Sequence, residues 1–170
     1  MTPSCMEIVT RSPAETVAVG QALADWLRDG DVVLLHGDLG AGKTTLAKGI
    51  AAGFRIDGVV TSPSFSLVNE YDAGLAAPVT RLYHLDLYRL GGEEDLASIG
   101  FHDFVSPTDG VILVEWPERA MAALPESYLL IEIESVETDS RRFHFVPVPN
   151  DETWTIRLRN LRARLGLHPA

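Results

Sequence analysis

The chain opens with "EIVTR", an apolar and polar alternation that predicts a short strand, followed by "SPAETVAVGQALADWLRDG", which has the signals of a helix. Ser12 is placed to cap that helix, Pro13 suits its first position, Glu15 closes a capping box and Gly30 marks its end. "DVVLLHG" is a continuous apolar run, the pattern of a strand covered on both faces, and "KTTLAKGIAAGF" has helical composition. Further on, "VTRLYHLDLYRL" alternates and sets Asp86 in mid-run on the same side as His84 and Tyr88, while "GVILVEWPER" leads four apolar residues into Glu115. "SYLLIEIESVETDSRRFHFVPV" reads as two strands about a polar turn, an antiparallel hairpin added to the sheet. Beyond Asn150, Trp154, Ile156 and Leu158 alternate with Thr155, Arg157 and Arg159 as in a strand, yet "LRNLRARLGL" also fits an amphipathic helix. Packing on the domain is the expected fate of this tail in either form.

This order predicts an α/β fold in one domain, residues 1–150, with a basic tail at 151–170. At 170 residues and 46% hydrophobic content the chain can bury a sizeable core without disulfides or a structural metal. The single cysteine, Cys5, has no partner to pair with, which fits a reducing compartment. No signal-peptide core and no stretch of roughly 20 apolar residues is present, so the cytoplasm is the expected location and no membrane partner is expected. The net charge of −10 repels polyanions and argues against tight, direct nucleic-acid binding. The tail departs from that balance, since "WTIRLRNLRARLGLHPA" carries four arginines and no acid.

Between the buried-strand pattern and the helix stands Gly37-Asp38-Leu39-Gly40-Ala41-Gly42-Lys43-Thr44, the full G-x-x-x-x-G-K-[ST] pattern. A chance match in a chain of this composition is on the order of one in a hundred. Each residue type has a physical reason. Glycines let the backbone turn several N–H groups inward, the new helix offers its positive end, Lys43 reaches the β- and γ-phosphates and Thr44 ligates Mg²⁺. The candidate nucleotide-binding set is therefore Asp38, Leu39, Gly40, Ala41, Gly42, Lys43, Thr44 and the following Thr45.

Hydrolysis needs an acid at a neighbouring strand end for the metal and a group that positions water. Glu115 ends a buried-strand pattern, at the carboxyl edge where ligands of open α/β sheets sit. Asp86 is the second candidate, although a strand's polar face is ordinarily exposed and spacing alone leaves its role open. The five histidines are scattered rather than set at zinc-ligand spacing. Arg89 and Arg119 suit either surface salt bridges or charge neutralisation on a transferred phosphoryl group.

"GDLGAGKTTLAKGI", "TSPSFSLVNEY", "HLDLYRL" with an acidic helix running into "IGFHDF", and "VILVEWPER" stand in an order and spacing that resemble the TsaE (YjeE) family, over roughly Glu7 to Pro149. The resemblance implies a single P-loop NTPase-type domain with a mixed central sheet flanked by helices. It implies a small bacterial ATPase needed for N6-threonylcarbamoyladenosine at position 37 of ANN-decoding tRNAs. The implied partners are TsaD and TsaB, with tRNA met only through their complex, TsaC supplying threonylcarbamoyl-adenylate, and the implied cofactors are ATP and Mg²⁺. By position, the resemblance makes Lys43 and Thr44 phosphate and Mg²⁺ contacts, Glu115 a Walker-B-like metal acid, and Asp86 of H-x-D-x-Y-R a catalytic or metal-water residue. It likens "TSPSF", Thr61 to Phe65, to a GTPase switch in which Thr61 and Ser62 sense the γ-phosphate, although Ser64 stands where threonine is frequent. Trp116 is implied to lie near the nucleotide. The tail matches no shared motif.

Other functions use the same loop. A small-molecule kinase normally has an arginine-bearing lid, and no arginine-rich stretch lies between Gly53 and Gly110. A GTPase needs N-K-x-D and D-x-x-G, and the chain has neither. A nucleotide-gated binding module, switched by ATP without needed turnover, stays open.

Overall fold

A computed structural model describes residues 6–63, 67–105 and 109–166, so Cys5, Ser64, Phe65 and His168 fall outside the described residues. The elements in order are β1 (Met6–Thr10), α1 (Pro13–Ala24), β2 (Val32–His36), α2 (Lys43–Gly53), β3 (Val68–Asp72), β4 (Arg81–Asp86), α3 (Glu93–Ser98), α4 (Phe101–Phe104), β5 (Val111–Glu115), β6 (Tyr128–Ser135), β7 (Arg141–Val148) and α5 (Glu152–Arg164). Short 3₁₀ turns at Pro117–Arg119 and Met121–Ala123 follow β5.

Among these residues seven strands form one mixed sheet in the order β1-β7-β6-β2-β5-β4-β3. The central run β6-β2-β5-β4 is parallel, and antiparallel pairs close both flanks. The hairpin expected from the sequence is β6 and β7, paired from Tyr128 with Val148 to Ser135 with Arg141. Its strand β6 runs beside β2, and β7 takes β1 as its outer neighbour.

The continuous apolar run of β2 has a direct cause. Val33 and Leu35 face a core shared with α1, α2 and α5, while Val32 and Leu34 face a second core with Leu96 of α3 and Phe101 of α4. A strand covered on both sides cannot alternate with polar residues. In β5, Val111 and Leu113 likewise face the first core and Ile112 and Val114 the second. Leu82 of β4 also faces the first, so by period-two geometry His84, Asp86 and Glu115 lie on the face that carries α2. Helices α1 and α2 touch backbone to backbone: a Cβ on Gly20 would stand 2.6 Å from the Leu46 carbonyl oxygen and 2.8 Å from Gly49 Cα.

Three local expectations are corrected. Helix α1 ends at Ala24, short of Gly30, because the Trp26 and Leu27 amides turn back to the Leu23 and Ala24 carbonyls and bury Leu27 in the core. Gly30, at φ 97°, serves a later turn that donates to the Gly110 carbonyl. The cap is also offset: Ser12 accepts from the Glu15 amide at 3.1 Å, but the Glu15 carboxylate accepts from Arg11 N at 2.7 Å, one residue before the box position. Finally, Asp86 closes β4 rather than sitting in mid-run, and Tyr88 lies beyond the strand and is exposed.

The tail is a helix. Asp151 caps α5 by accepting from the Trp154 amide at 3.0 Å, and Trp154, Leu158 and Leu161 are buried in the first core. Arg157 Nη1 meets Asp31 Oδ2 at 2.7 Å, and its guanidinium lies over the Trp154 ring. Burial raises the Asp31 carboxyl above its ordinary range, a tendency that the Arg28 amide and the Arg157 charge oppose.

Candidate functional site

Residues 37–42 leave β2 and enter α2 through a turn that requires glycine, since Gly40 and Gly42 have φ of 78° and 110°. Helix α2 starts at Lys43 with no side-chain cap, so its first-turn amides point outward without an intrahelical partner. This is the geometry of an anion cradle. Ala41 is buried and anchors the loop, while Asp38 and Leu39 are exposed at its tip, Leu39 at 76%.

Lys43 folds back across the loop. Its Nζ donates to the carbonyls of Gly37 at 2.5 Å and Asp38 at 2.8 Å, and stands 4.0 Å from the centre of the Trp116 ring. Burial pushes the Lys43 ammonium below the ordinary lysine value, and the carboxylates of Glu115, Glu118, Asp86 and Asp38 pull the other way. Trp116 holds its place through a left-handed backbone, φ 61°, just before the buried Pro117, and its ring packs on Tyr88 with centroids 4.9 Å apart.

Both acids are buried at strand ends, Glu115 at 2% exposure and Asp86 at 4%, and they are register partners of β5 and β4. Thr44 Oγ1 donates toward Glu115 at 3.2 Å and 3.4 Å from its two oxygens. His84 Nε2 lies 2.9 Å from Glu115 Oε1, and His84 Nδ1 is buried with no hydrogen-bond partner. A neutral imidazole that donates from Nε2 to the carboxylate leaves the lone pair on Nδ1, the less costly group to bury bare. Asp86 accepts from Ser62 Oγ at 2.6 Å and from the Tyr88 amide at 3.0 Å.

The cleft these groups line has a volume of about 380 Å³ and runs from Gly40 and Thr45 past Lys43 and Thr44 to Ser62, Asp86, Arg89, Glu115 and Trp116. Of the positions singled out in the sequence, the structure brings Lys43, Thr44, Glu115, Asp86 and Trp116 together there. Thr61 is exposed, with its carbonyl near Asn69 Nδ2, and its neighbour Ser62 makes the contact to Asp86. His84, set aside as sharing only a strand face with Asp86, proves to be the buried partner of Glu115. A two-residue spacing on a strand puts His84 and Asp86 on one face, but the approach to Glu115 is made across the β4–β5 pair and is not contained in that spacing.

The donor set suits a small, hard cation. Among the described residues no three His, Cys, Asp or Glu side chains form a metal cage. A hydroxyl next to one carboxylate at the mouth of an amide cradle is what Mg²⁺ accepts, since it keeps several waters and takes further oxygens from phosphates.

Comparison with known proteins agrees with this geometry. The family model described as "Threonylcarbamoyl adenosine biosynthesis protein TsaE" matches residues 10–143. A relative in Bacillus subtilis, "tRNA threonylcarbamoyladenosine biosynthesis protein TsaE", is 40% identical over 141 residues, covering 83% of this chain and 85% of its own. One of the same name in Treponema pallidum is 39% identical over 136 residues, covering 80% and 96%. The crystal structure of Bacillus subtilis YdiB superposes with a TM-score of 0.73 at 34% identity, covering 95% of this chain and 96% of that one. Among the described residues no helix is long and apolar enough to cross a membrane.

Proposed function

The chain belongs to the TsaE family of threonylcarbamoyl adenosine biosynthesis proteins, and from that membership we propose that it is a P-loop ATPase serving N6-threonylcarbamoyladenosine formation at position 37 of ANN-decoding tRNAs. It acts on a TsaD–TsaB complex, hydrolyses ATP weakly alone and faster when docked, and uses hydrolysis to reset the complex between rounds. The observation that carries this reading is the approach of Thr44 Oγ1 to Glu115 at 3.2 Å below a complete phosphate loop.

Several of the chain's own groups support the chemistry. The first-turn amides of α2 hold the phosphate chain, and Lys43 leaves the Gly37 and Asp38 carbonyls for the β- and γ-phosphate oxygens. Thr44 and Glu115 would hold Mg²⁺, whose charge, when bound, offsets the negative charge that grows on the transferred phosphoryl group. His84 fixes Oε1 of Glu115, the same oxygen that Thr44 Oγ1 approaches at 3.2 Å. Asp86, steadied by Ser62 and the Tyr88 amide, orients the attacking water, and Trp116 and Tyr88 restrict bulk solvent. The chain has no arginine-rich stretch between Gly53 and Gly110 of the kind a kinase lid carries, which supports hydrolysis coupled to a partner over a kinase reaction. The net charge of −10 supports contact with tRNA through the complex only.

Reconstitution of the modification from purified TsaB, TsaC and TsaD tests this, comparing no addition, the wild-type chain and Glu115→Ala over many turnovers. Sustained modification with wild type alone is the expected result. Equal turnover in all three reactions refutes the resetting role, and equal support from the variant assigns the chain to a nucleotide-gated switch instead.

A further inference from the structure

The four arginines of α5 divide between two flanks of the helix. Its buried row is Trp154, Leu158 and Leu161. At 100° per residue, Arg157 and Arg164 fall on one side of that row and Arg159 and Arg162 on the other. The first pair faces the chain's own acids: Arg157 meets Asp31 at 2.7 Å, and Arg164 meets Asp25 at 3.8 Å. Arg159, which is exposed, and Arg162, which is half-buried, make no ion pair among the described residues. Three positions apart, they are neighbours on the helix surface, with Cβ atoms about 5–6 Å from each other. No acid stands anywhere from Thr153 to Gly166. Asp31 precedes β2 and the phosphate loop follows it, so the part of α5 beside Asp31 lies at the end of the sheet opposite to Lys43, Asp86 and Glu115. Nothing in the hydrolytic reading uses this end.

We propose that the Arg159 and Arg162 flank of α5 is a contact surface for the phosphate backbone of RNA. This goes beyond the hydrolytic reading and rests on a different part of the molecule. Charge complementarity selects a polyanion, because two neighbouring guanidinium groups without a counter-charge stand here on a chain of net charge −10. The neighbouring side chains decide for phosphate over an acidic protein face. A protein interface centres on large apolar or aromatic anchors in a patch that excludes water. Beside Arg159 and Arg162 stand Asn160 and the exposed Ala163, and the larger apolar group nearby, Ile156, is 39% exposed. Arginine forks and a carboxamide are groups that hold phosphate oxygens, and a small residue lets the backbone come close. Trp154 is buried, so α5 offers no aromatic ring on which a base could stack, and the surface reads charge rather than sequence. The acidic body keeps the contact weak in the free chain, and it adds to a hold on RNA that another protein supplies.

Fluorescence anisotropy with a labelled tRNA transcript, at salt concentrations from low to physiological, tests this on the full chain, on the double variant Arg159→Ala with Arg162→Ala, and on Arg159→Lys with Arg162→Lys. Wild type is expected to bind at low salt, with an affinity that falls as salt rises. The double alanine variant loses affinity, and its slope of log affinity against log salt is smaller by about two, one for each phosphate contact removed. The double lysine variant keeps the charge and most of the binding, and an RNA duplex of unrelated sequence binds as the transcript does. Thermal melting and ATP affinity of both variants match wild type, because the flank lies outside the core and away from the cleft. Wild type that binds no RNA at low salt overturns the proposal, as does an alanine variant with unchanged affinity and slope. Polyglutamate that displaces the transcript as effectively, charge for charge, as unlabelled RNA assigns the flank to an acidic protein partner and overturns it equally.

Discussion

His84 Nε2 and Glu115 Oε1 stand 2.9 Å apart, with side-chain exposures of 0% and 3%, so the acid nearest Thr44 takes its orientation from a histidine that no solvent reaches. His84→Ala removes a hydrogen bond to a buried carboxylate, a loss of about 2 kcal/mol. In a domain of this size that corresponds to a melting temperature lower by about 4–8 °C. ATP hydrolysis falls further than ATP affinity, because the phosphate contacts of the loop stay intact. Thermal melts read beside turnover and titration check both halves; unchanged melting would mean that the pair contributes nothing to the fold.

Lys43→Ala is expected to keep the fold and lose most ATP affinity. The pH dependence follows from the burial of this ammonium, which holds its pKa below the ordinary 10.5 in the free protein. Bound phosphates favour the charged form and raise the pKa again. Between the lowered value and the raised one, binding takes up a proton and affinity falls as pH rises. Titrations in buffers of different ionisation enthalpy measure the uptake, and its absence throughout that range would place Lys43 away from the phosphates.

The Lys43 ammonium stands over the ring face of Trp116, 4.0 Å from its centroid. When Lys43 moves to phosphate, that cation leaves the ring and the emission of Trp116 changes. Trp116→Phe abolishes the ATP-dependent signal, whereas Trp154→Phe, on the far end of the first core, leaves it in place. A spectral change that survives in Trp116→Phe would disprove the link.

The contact of α1 with α2 predicts a stability effect at a distance from the chemistry. Gly20→Ala puts a methyl group against the Leu46 carbonyl and Gly49 Cα, and overpacking of this kind costs about 1–3 kcal/mol. Since α2 carries the loop at its start, ATP affinity falls as well. Chemical denaturation reports the first effect and titration the second.

Truncation after Asn150 exposes the core beneath Trp154, Leu158 and Leu161 and lowers the denaturation midpoint, with ATP affinity little changed. Arg157→Ala isolates one part of that loss. Asp31 already binds its proton more readily in the folded state, so its ionisation lowers stability as pH rises above 3.8 through the folded value. Without Arg157 the ionised form loses its counter-charge. The variant is therefore more destabilised at neutral than at acid pH, and denaturant titrations at the two pH values read the difference.

The elements that a local pattern encodes were legible in the sequence. The loop from Gly37 to Thr44 and the strand leading into Glu115 each fit within a dozen residues, and both occur where their patterns place them. What escaped was set by pairing between distant segments. The separation from His84 to Glu115 is 31 positions and from Ser62 to Asp86 it is 24, and no periodicity within one segment announces such a contact. The early end of α1 escaped for a similar reason, since the burial of Leu27 outweighs a glycine stop signal further on. The tail's form was ambiguous because its apolar spacing suits both periods, and the Asp151 cap with three buried residues in the first core decides for helix.

Among the described residues β1 pairs with β7 alone, Met6 opposite Phe145 and Thr10 opposite Arg141, and this has a consequence for how the protein is made. During synthesis β1 emerges well before its neighbour, since β2 to β6 all lie between them in the chain. Until then its unpaired edge and the inner faces of Met6 and Ile8 are open to other chains, the condition under which nascent proteins aggregate or recruit chaperones. Slow translation between β1 and β7 would prolong that exposure, so the protein's yield is sensitive to the rate at which β7 is delivered.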